Sequence, residues 1–272
     1  MAMDGFSVVL PAYDEGAGLR FTLERLCAYL HAFAPRGAWE LIVVDDGSSD
    51  DTGAIAAEFV RRDPLRVRFL QHPVNLGLTA ALETGAAVAT MPAVVVIDAD
   101  LSYAPETIGA LMAAYSETGA ACALASPYMP GGEVSNVPAM RLWVSILANR
   151  LLSLCARGRV KTLTGMVRAY DTRLLCGLLA RRGEAEFNSW SVALMLAAKL
   201  PLVEVPARLA WPEYRLAAAG RLKLSTLLRR AAGVLRSAAY LAGFQRSSGL
   251  LGREPGTFVP FVPGDRLMSG RR

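Results

Sequence analysis

The chain contains 272 residues, of which 53% are hydrophobic and 19% are charged. This length and composition suit one large α/β domain with a sizeable core. No uncharged apolar run reaches the ~18 residues that a membrane-spanning helix requires, and no basic region precedes the first strand pattern as it would in a signal peptide. Four scattered cysteines and two histidines argue against a disulfide framework and a histidine-rich metal site. We therefore expect a cytoplasmic protein with reduced cysteines.

Charge is distributed unevenly along the chain. Residues 1–100 contain 14 acidic residues and 7 arginines, whereas residues 101–272 contain 22 basic and 10 acidic residues. An acidic first half suits a metal and nucleotide site, and a basic second half suits an anionic partner. No zinc finger, helix-turn-helix or aromatic RNA-binding motif accompanies the basic charge, so we expect no nucleic-acid partner beyond a nucleotide.

Strand and helix patterns alternate through the first half of the chain. Helical spacing predicts helices at 18–33, 50–62, 78–89 and 106–115. Short apolar runs predict strands at 6–10, 40–44, 67–70, 94–97 and 122–125. This alternation indicates βαβ units and a mainly parallel sheet, whose ligands bind beyond the carboxyl ends of the strands.

Three of the predicted strands end in polar and acidic segments, at 11–15, 45–49 and 98–100. Side chains two apart in a strand point to the same side, so Asp98 and Asp100 project together. Two anions so close repel each other unless a cation lies between them, and oxygen-only ligands favour Mg²⁺ or Mn²⁺. The sequence therefore predicts a site for a divalent cation and a nucleotide at one rim of the sheet, with Gly47 allowing backbone to approach the ligand.

The alternation stops near residue 126. An apolar helix is predicted at 138–156, a strand at 164–170, a helix at 191–199 and a strand at 202–205. Residues 222–244 have a wide apolar face with arginines opposite, which is typical of a helix in a membrane interface or of one packed on its own domain. The predicted organisation is a nucleotide-binding half at 1–125 and an acceptor half at 126–220, then an amphipathic basic helix at 221–246 and a loose tail at 247–272.

In their order and spacing, these motifs resemble the inverting family 2 glycosyltransferases of the GT-A fold, in the branch that contains dolichol-phosphate mannose synthase and bacterial polyprenyl-phosphate glycosyltransferases. The segments that carry the resemblance are VVLPAYDEGAGL at 8–19, ELIVVDDGSSDDT at 40–52, NLGLTAALETGAAVA at 75–89, VVVIDADLSYAPETI at 94–108, SPYMPGG at 126–132, LTGMVRAY at 163–170, VEVP at 203–206 and GRLKLS at 220–225. The resemblance implies a Rossmann-like, mainly parallel sheet flanked by helices.

The resemblance also implies roles for particular residues. The residues expected to contact a GDP- or UDP-hexose are Pro11, Tyr13, Glu15, Asp45, Asp46, Asp98 and Ala99. Asp98 and Asp100 form the DxD motif that binds Mg²⁺ or Mn²⁺, with Ser102 assisting. The residues expected to bind the acceptor phosphate are Arg141, Ser145 and Arg215. The expected catalytic residues are Asp98, Asp100, Arg168 and Lys223. Arg215 and Lys223 resemble the basic residues of a loop that covers the diphosphate.

The expected reaction is inverting transfer of a hexose, mannose or glucose, from a nucleotide sugar to a polyprenyl or dolichyl phosphate at the cytosolic membrane face. Pro127, Thr162 and Trp190 depart from the pattern of the mannose synthases, which leaves the sugar and nucleotide open. The main alternative is a family 2 enzyme that glycosylates a soluble or cell-envelope hydroxyl. A sugar-1-phosphate nucleotidyltransferase and a non-catalytic membrane-surface adaptor are further alternatives.

Overall fold

A seven-stranded sheet forms the centre of the protein. The computed structural model describes residues 5–34, 38–181, 187–218 and 231–243. The strands are β1 (Phe6–Ala12), β2 (Trp39–Asp45), β3 (Val67–Gln71), β4 (Ala93–Val96), β5 (Cys122–Ser126), β6 (Glu133–Ser135), β7 (Arg168–Asp171), β8 (Leu202–Pro206) and β9 (Arg208–Ala210). The helices are α1 (Gly16–Phe33), α2 (Thr52–Arg62), α3 (Leu78–Val88), α4 (Glu106–Thr118), α5 (Ala139–Cys155), α6 (Thr172–Ala180), α7 (Phe187–Ala197) and α8 (Glu213–Ala218). Residues 231–243 form a further helix.

The strand order is β3-β2-β1-β4-β7-β5-β8, and the pairs β1–β2, β1–β4, β2–β3 and β5–β8 are parallel. β7 runs antiparallel to both of its neighbours, β4 and β5. β6 and β9 pair separately as a small parallel sheet. The predicted α/β class with a mainly parallel sheet is therefore confirmed. β7 comes from the predicted second half but lies between β4 and β5, which come from the first half.

Helices cover both faces of the central sheet, so its inner strands are buried on both sides. Alternate residues of β1 enter different cores: Val8 and Leu10 pack with α1, α2 and α4, whereas Val9 packs with α3, α6 and α7. Strands buried on both faces are expected to be near-continuous apolar runs, as at 93–97. This explains why the strands of the first half could be recognised in the sequence.

One predicted strand is shorter than the sequence suggested. β7 begins at Arg168, and residues 160–167 form a loop. The backbone N–H groups of Lys161 and Thr162 donate to the two carboxylate oxygens of Glu204, both at 2.8 Å. That of Leu163 donates to Asn149 Oδ1 at 2.7 Å. The apolar pattern predicted too long a strand because side chains, rather than a neighbouring strand, accept the hydrogen bonds of the backbone N–H groups at 161–163. The elements β6, β9, α6 and α8 were not predicted.

The helix over 231–243 packs on the domain. Val234, Ala238 and Leu241 are buried in the core formed with α3, α6 and α7. The remainder of the predicted 221–246 helix, at 221–230 and 244–246, and the 247–272 tail lie outside the described residues. Among the helices of the described ranges, none combines the length and apolar character needed to cross a membrane. All four cysteines are free thiols.

Candidate active site

The polar segments that follow β1, β2 and β4 meet at one rim of the sheet, because these three strands are parallel neighbours. They open into a cleft of about 640 Å³. Ten of the residues singled out in the sequence line this cleft: Pro11, Tyr13, Glu15, Asp46, Asp98, Ala99, Asp100, Ser102, Ser145 and Arg215. The structure therefore brings most of the predicted site together.

Asp98 and Asp100 lie on a tight turn beyond the end of β4. Leu101 adopts a left-handed φ of 51°, a conformation that non-glycine residues adopt rarely and that is concentrated at functional sites. Three hydrogen bonds hold the turn: Leu101 N–H donates to the Asp98 carbonyl at 3.3 Å, Ser102 N–H to Asp100 Oδ1 at 2.8 Å, and the Thr22 hydroxyl to the Ala99 carbonyl at 2.7 Å. Burial, and then the negative charge of Asp100, raise the pKa of Asp98. An added cation would relieve both effects.

Arg215 of α8 supplies a positive charge at this point. Its Nε lies 2.9 Å from Asp100 Oδ2, and its guanidinium also forms an ion pair with Glu15. Burial raises the pKa of Glu15 to about 7, even though Arg215 favours the charged form. The guanidinium therefore occupies the position beside the acidic residues where the sequence predicts a cation.

The donor set fits a hard divalent cation. Among the described residues, no group of three or more histidine, cysteine, aspartate or glutamate side chains is arranged to hold a metal ion by itself. Asp98 and Asp100 would supply two carboxylates, with the Ser102 hydroxyl nearby. Mg²⁺ and Mn²⁺ commonly bind one or two carboxylates and take their remaining ligands from water and substrate phosphates. The Arg215 guanidinium, which pairs with Asp100 and Glu15, shows that this position attracts positive charge.

The acidic residues at the end of β2 hold loops in place. Asp45 is fully buried and accepts hydrogen bonds from Ser48 N–H and from Gln71 Nε2, each at 2.9 Å. The sequence predicted that Asp45 contacts the nucleotide, but Asp45 does not line the cleft. Asp46 does line the cleft, and its carboxylate accepts from the N–H groups of Leu76 at 2.9 Å and Gly77 at 2.7 Å.

Gly47 is required by a close approach of two backbone segments. Its φ is +74°, and a Cβ at this position would lie 2.3 Å from the carbonyl carbon of Val74. The close approach is therefore to the backbone of the 74–75 loop. Together with the hydrogen bonds of Asp46, this contact fixes the wall of the cleft that contains Asn75 and Gly77.

The other side of the cleft comes from the second half of the chain and is polar but mostly uncharged. The Tyr128 hydroxyl donates to Ser145 Oγ at 2.8 Å, and both residues line the cleft. Asn149, one turn further along α5, donates to Thr164 Oγ1 at 2.8 Å. Arg141 lies at the rim, with its guanidinium 5.3 Å from the centre of the Trp211 ring. Arg141 and Ser145 are four positions apart on α5 and so share a face of the helix, although only Ser145 lines the cleft.

Arg168, one of the two predicted catalytic cations, does not line the cleft. Arg168 is 1% exposed, and its guanidinium donates to Ser191 Oγ at 3.0 Å and to the Leu163 carbonyl at 2.8 Å. The pattern around Arg168 predicted a short strand but not the direction in which its side chain points. In the structure it braces the 160–167 loop. Lys223 lies outside the described residues.

Sequence reasoning missed several residues of the site. Tyr128, Asn75, Asn188 and Trp211 line the cleft, and Asn149 supports it from behind. Only Asn149 gave a usable signal, because it is a polar residue within the apolar run at 142–156. The others come from loops or from a helix whose orientation only the folded chain defines.

The sheet order, the DxD turn and the cleft define the GT-A fold of glycosyltransferases. A structure of glucosyl-3-phosphoglycerate synthase from Mycobacterium tuberculosis with Mn²⁺ and UDP-glucose superimposes with a TM-score of 0.64 at 20% identity, covering 88% of this chain and 79% of that one. Mannosyl-3-phosphoglycerate synthase from Rubrobacter xylanophilus gives 0.63 at 19% identity, covering 93% and 78%. The family model of glycosyl transferase family 2 matches residues 7–177, and the chain belongs to this family.

Relatives that are more similar in sequence are named for lipid-phosphate acceptors. Polyprenol monophosphomannose synthase from Mycolicibacterium smegmatis is 35% identical over 179 residues, which are 62% of each chain. Dolichol-phosphate mannosyltransferase from Pyrococcus furiosus is 34% identical over 139 residues, which are 51% of this chain and 38% of that one. The chain thus spans less than two thirds of the length of either relative.

Proposed function

We propose that this protein transfers a hexose, mannose or glucose, from a GDP- or UDP-sugar to a polyprenyl or dolichyl phosphate, with inversion at the anomeric carbon. The proposal extends the names of the sequence relatives to this chain. The observation that supports it most is the division of charge within the cleft, because an acidic side suits a metal-bound nucleotide sugar and a side without carboxylates suits an anionic acceptor.

The carboxylates of the cleft all belong to the first half of the chain. They are Glu15, Asp46, Asp98 and Asp100, and the described lining residues of the second half include no carboxylate and no histidine. A hydroxyl acceptor usually needs a general base within hydrogen-bond reach. Trp190, close to where the family pattern has a glutamate, packs against Tyr240 with ring centres 4.6 Å apart. The acceptor side therefore suits a nucleophile that is already ionised.

A phosphate monoester meets this requirement. Its second pKa is ~6, so most of it carries two negative charges at neutral pH. Ser145 and Tyr128 can donate hydrogen bonds to it, and Arg141 at the rim can approach it with two parallel N–H groups. Attack by a phosphate oxygen on the face of the sugar opposite the nucleotide gives inversion in one step.

The donor would bind at the acidic rim. Asp98 and Asp100, with Ser102, would hold Mg²⁺ or Mn²⁺, which when bound neutralises charge that develops on the leaving nucleoside diphosphate. Tyr13, Pro11 and the 75–77 loop would border the nucleotide. Arg215 is close enough to Asp100 to turn from the carboxylates to the diphosphate. We further propose that the protein works at the cytosolic face of a membrane, where its acceptor would be found.

The direct test is an assay of the purified full chain with Mn²⁺ or Mg²⁺ and a panel of UDP- and GDP-hexoses. Undecaprenyl phosphate, dolichyl phosphate and soluble hydroxyl acceptors would be compared. We expect a lipid-linked hexose phosphate with inverted anomeric configuration, detected by mass spectrometry and NMR. Activity on the hydroxyl acceptors alone would overturn the proposal.

Two variants sharpen this assay. Asp100→Asn should lower turnover on the order of 10²-fold, because a carboxylate next to the diphosphate is lost. Asp51→Asn, an exposed position outside the cleft, is the matched control and should retain turnover. Arg141→Ala should impair transfer to the phosphate acceptor severely. An unchanged rate in that variant would favour the hydroxyl-acceptor alternative.

A further inference from the structure

Helix α5 exposes an apolar face to solvent. Its members, here called the α5 stripe, are Met140, Trp143, Leu147, Leu151 and Leu154, with exposed fractions of 66%, 67%, 70%, 37% and 76%. At 100° per residue the five side chains fall within an arc of about 80°. Single exposed apolar residues are ordinary, but a continuous row of this kind marks an interaction surface.

The opposite face of α5 is packed as a normal domain helix. Asn149, Leu152 and Ser153 are buried, and Asn149 Oδ1 accepts hydrogen bonds from the N–H groups of Leu163 and Thr164 at 2.7 and 3.2 Å. These contacts fix the rotation of the helix about its axis. The α5 stripe must therefore point away from the domain.

The surroundings of the stripe are basic. Residues 134–167 contain five arginines and lysines and no acidic residue. Arg150 lies beside the stripe on the helix, and Arg159 and Lys161 follow in the exposed loop after it. A second copy of the chain meeting this face would bring like charges together, which is unfavourable at an interface. An anionic surface is electrostatically complementary.

The stripe is also continuous with the candidate active site. A second cavity of about 590 Å³ lies along α5 and is lined by Arg150, Leu154 and Lys161, among others. It shares Tyr128 with the cleft and Leu154 with the stripe. A molecule that enters from the stripe side would pass Arg150 and Lys161 before it reaches Ser145.

We propose that the α5 stripe is the membrane-docking surface of this protein and inserts into the interface of a bilayer that contains anionic lipids. Arg150, Arg159 and Lys161 contact the headgroup phosphates, and the apolar side chains lie at the level of the acyl boundary. The proposal rests on the proposed function in taking a lipid, rather than a protein, as the partner. It takes α5 rather than the helix over 231–243 as the contact, since Val234, Ala238 and Leu241 of that helix are buried.

The test is flotation of the full chain with vesicles of phosphatidylcholine and phosphatidylglycerol that contain no polyprenyl phosphate. We expect wild-type protein to float with the vesicles and to be released as salt increases. The double variant Trp143→Glu/Leu147→Glu should lose at least about tenfold in vesicle affinity. Circular dichroism and thermal melting would verify that this variant is folded.

Two control variants replace side chains of similar exposure elsewhere. Phe21→Glu on α1 and Leu235→Glu on the 231–243 helix both start from 59% exposed residues and should float like wild type. Retained binding by the double variant, or loss of binding by Leu235→Glu alone, would overturn the proposal. So would a wild-type dimer that the double variant dissociates, because the stripe would then join two copies.

Turnover separates the docking proposal from the proposed function. With a short-chain, water-soluble prenyl phosphate and no vesicles, the double variant should retain wild-type turnover. Failure of wild type to float, with turnover intact, would overturn docking alone. Absence of transfer to any prenyl phosphate, with flotation intact, would overturn the proposed function alone.

Discussion

At the scale of single residues, Arg215 connects α8 to the acidic rim. Its ion pairs with Glu15 and Asp100 bring together residues 200 and 115 positions away in the sequence. Such a contact neutralises two partly buried carboxylates. It also places a protein cation in competition with a divalent ion for Asp100.

Replacing Arg215 with alanine should therefore tighten Mn²⁺ binding in the absence of nucleotide. An effect of about fivefold, ~1 kcal/mol, is expected for loss of one competing, partly exposed ion pair. Titration followed by the electron paramagnetic resonance signal of free Mn²⁺ measures this without turnover. Arg208→Ala is the control, because Arg208 pairs with Glu133 at the surface. Unchanged or weaker Mn²⁺ binding in Arg215→Ala would show that the two cations do not compete.

At the scale of elements, Glu40 ties β2 to its surroundings. Its carboxylate accepts from Ser7 Oγ of β1 at 2.7 Å and from Thr90 N–H, before β4, at 2.6 Å. Arg68 of β3 lies 3.3 Å from the other oxygen. Burial alone would raise the pKa of Glu40, but these hydrogen bonds to Thr90, Ser7 and Arg68 outweigh it and hold the pKa below the ordinary 4.5.

The stability that the Glu40 carboxylate contributes should consequently depend on pH. A group with a lowered pKa in the folded state stabilises fully above its unfolded pKa and loses that contribution as pH falls through the folded value. Glu40→Gln should lower the free energy of unfolding by roughly 1–3 kcal/mol near neutral pH. Urea unfolding should show this difference shrinking below about pH 4.5. The exposed Glu117→Gln is the control, and a difference that stays constant down to pH 3 would contradict the prediction.

At the scale of the whole molecule, one sheet serves two cores. β7, from the second half of the chain, lies between β4 and β5 of the first half. The predicted halves at 1–125 and 126–220 therefore cannot each keep a continuous sheet if separated. The cores on the two faces share every central strand, so unfolding of one removes support from the other.

We therefore expect a single cooperative unfolding transition that responds to damage on either face. Leu23→Ala on α1 and Leu175→Ala on α6 each remove a fully buried side chain, from different cores. Each should cost about 2–5 kcal/mol and shift the whole urea transition. Leu65→Ala, at a 92% exposed position, should have little effect. Two separated transitions, each sensitive to only one substitution, would contradict this expectation.

The sequence alone determined the fold class, most elements of the first half and the acidic rim. It could do so because strands buried on both faces are continuous apolar runs, and because parallel strands bring their carboxyl ends to one edge. The tertiary structure decided the direction of Arg168, the loop-holding roles of Asp45 and Asp46, and the antiparallel position of β7. It also decided that α5 exposes an apolar stripe while the 231–243 helix buries one. Periodicity shows that a helix has an apolar face, but only packing against the rest of the chain determines whether that face is covered.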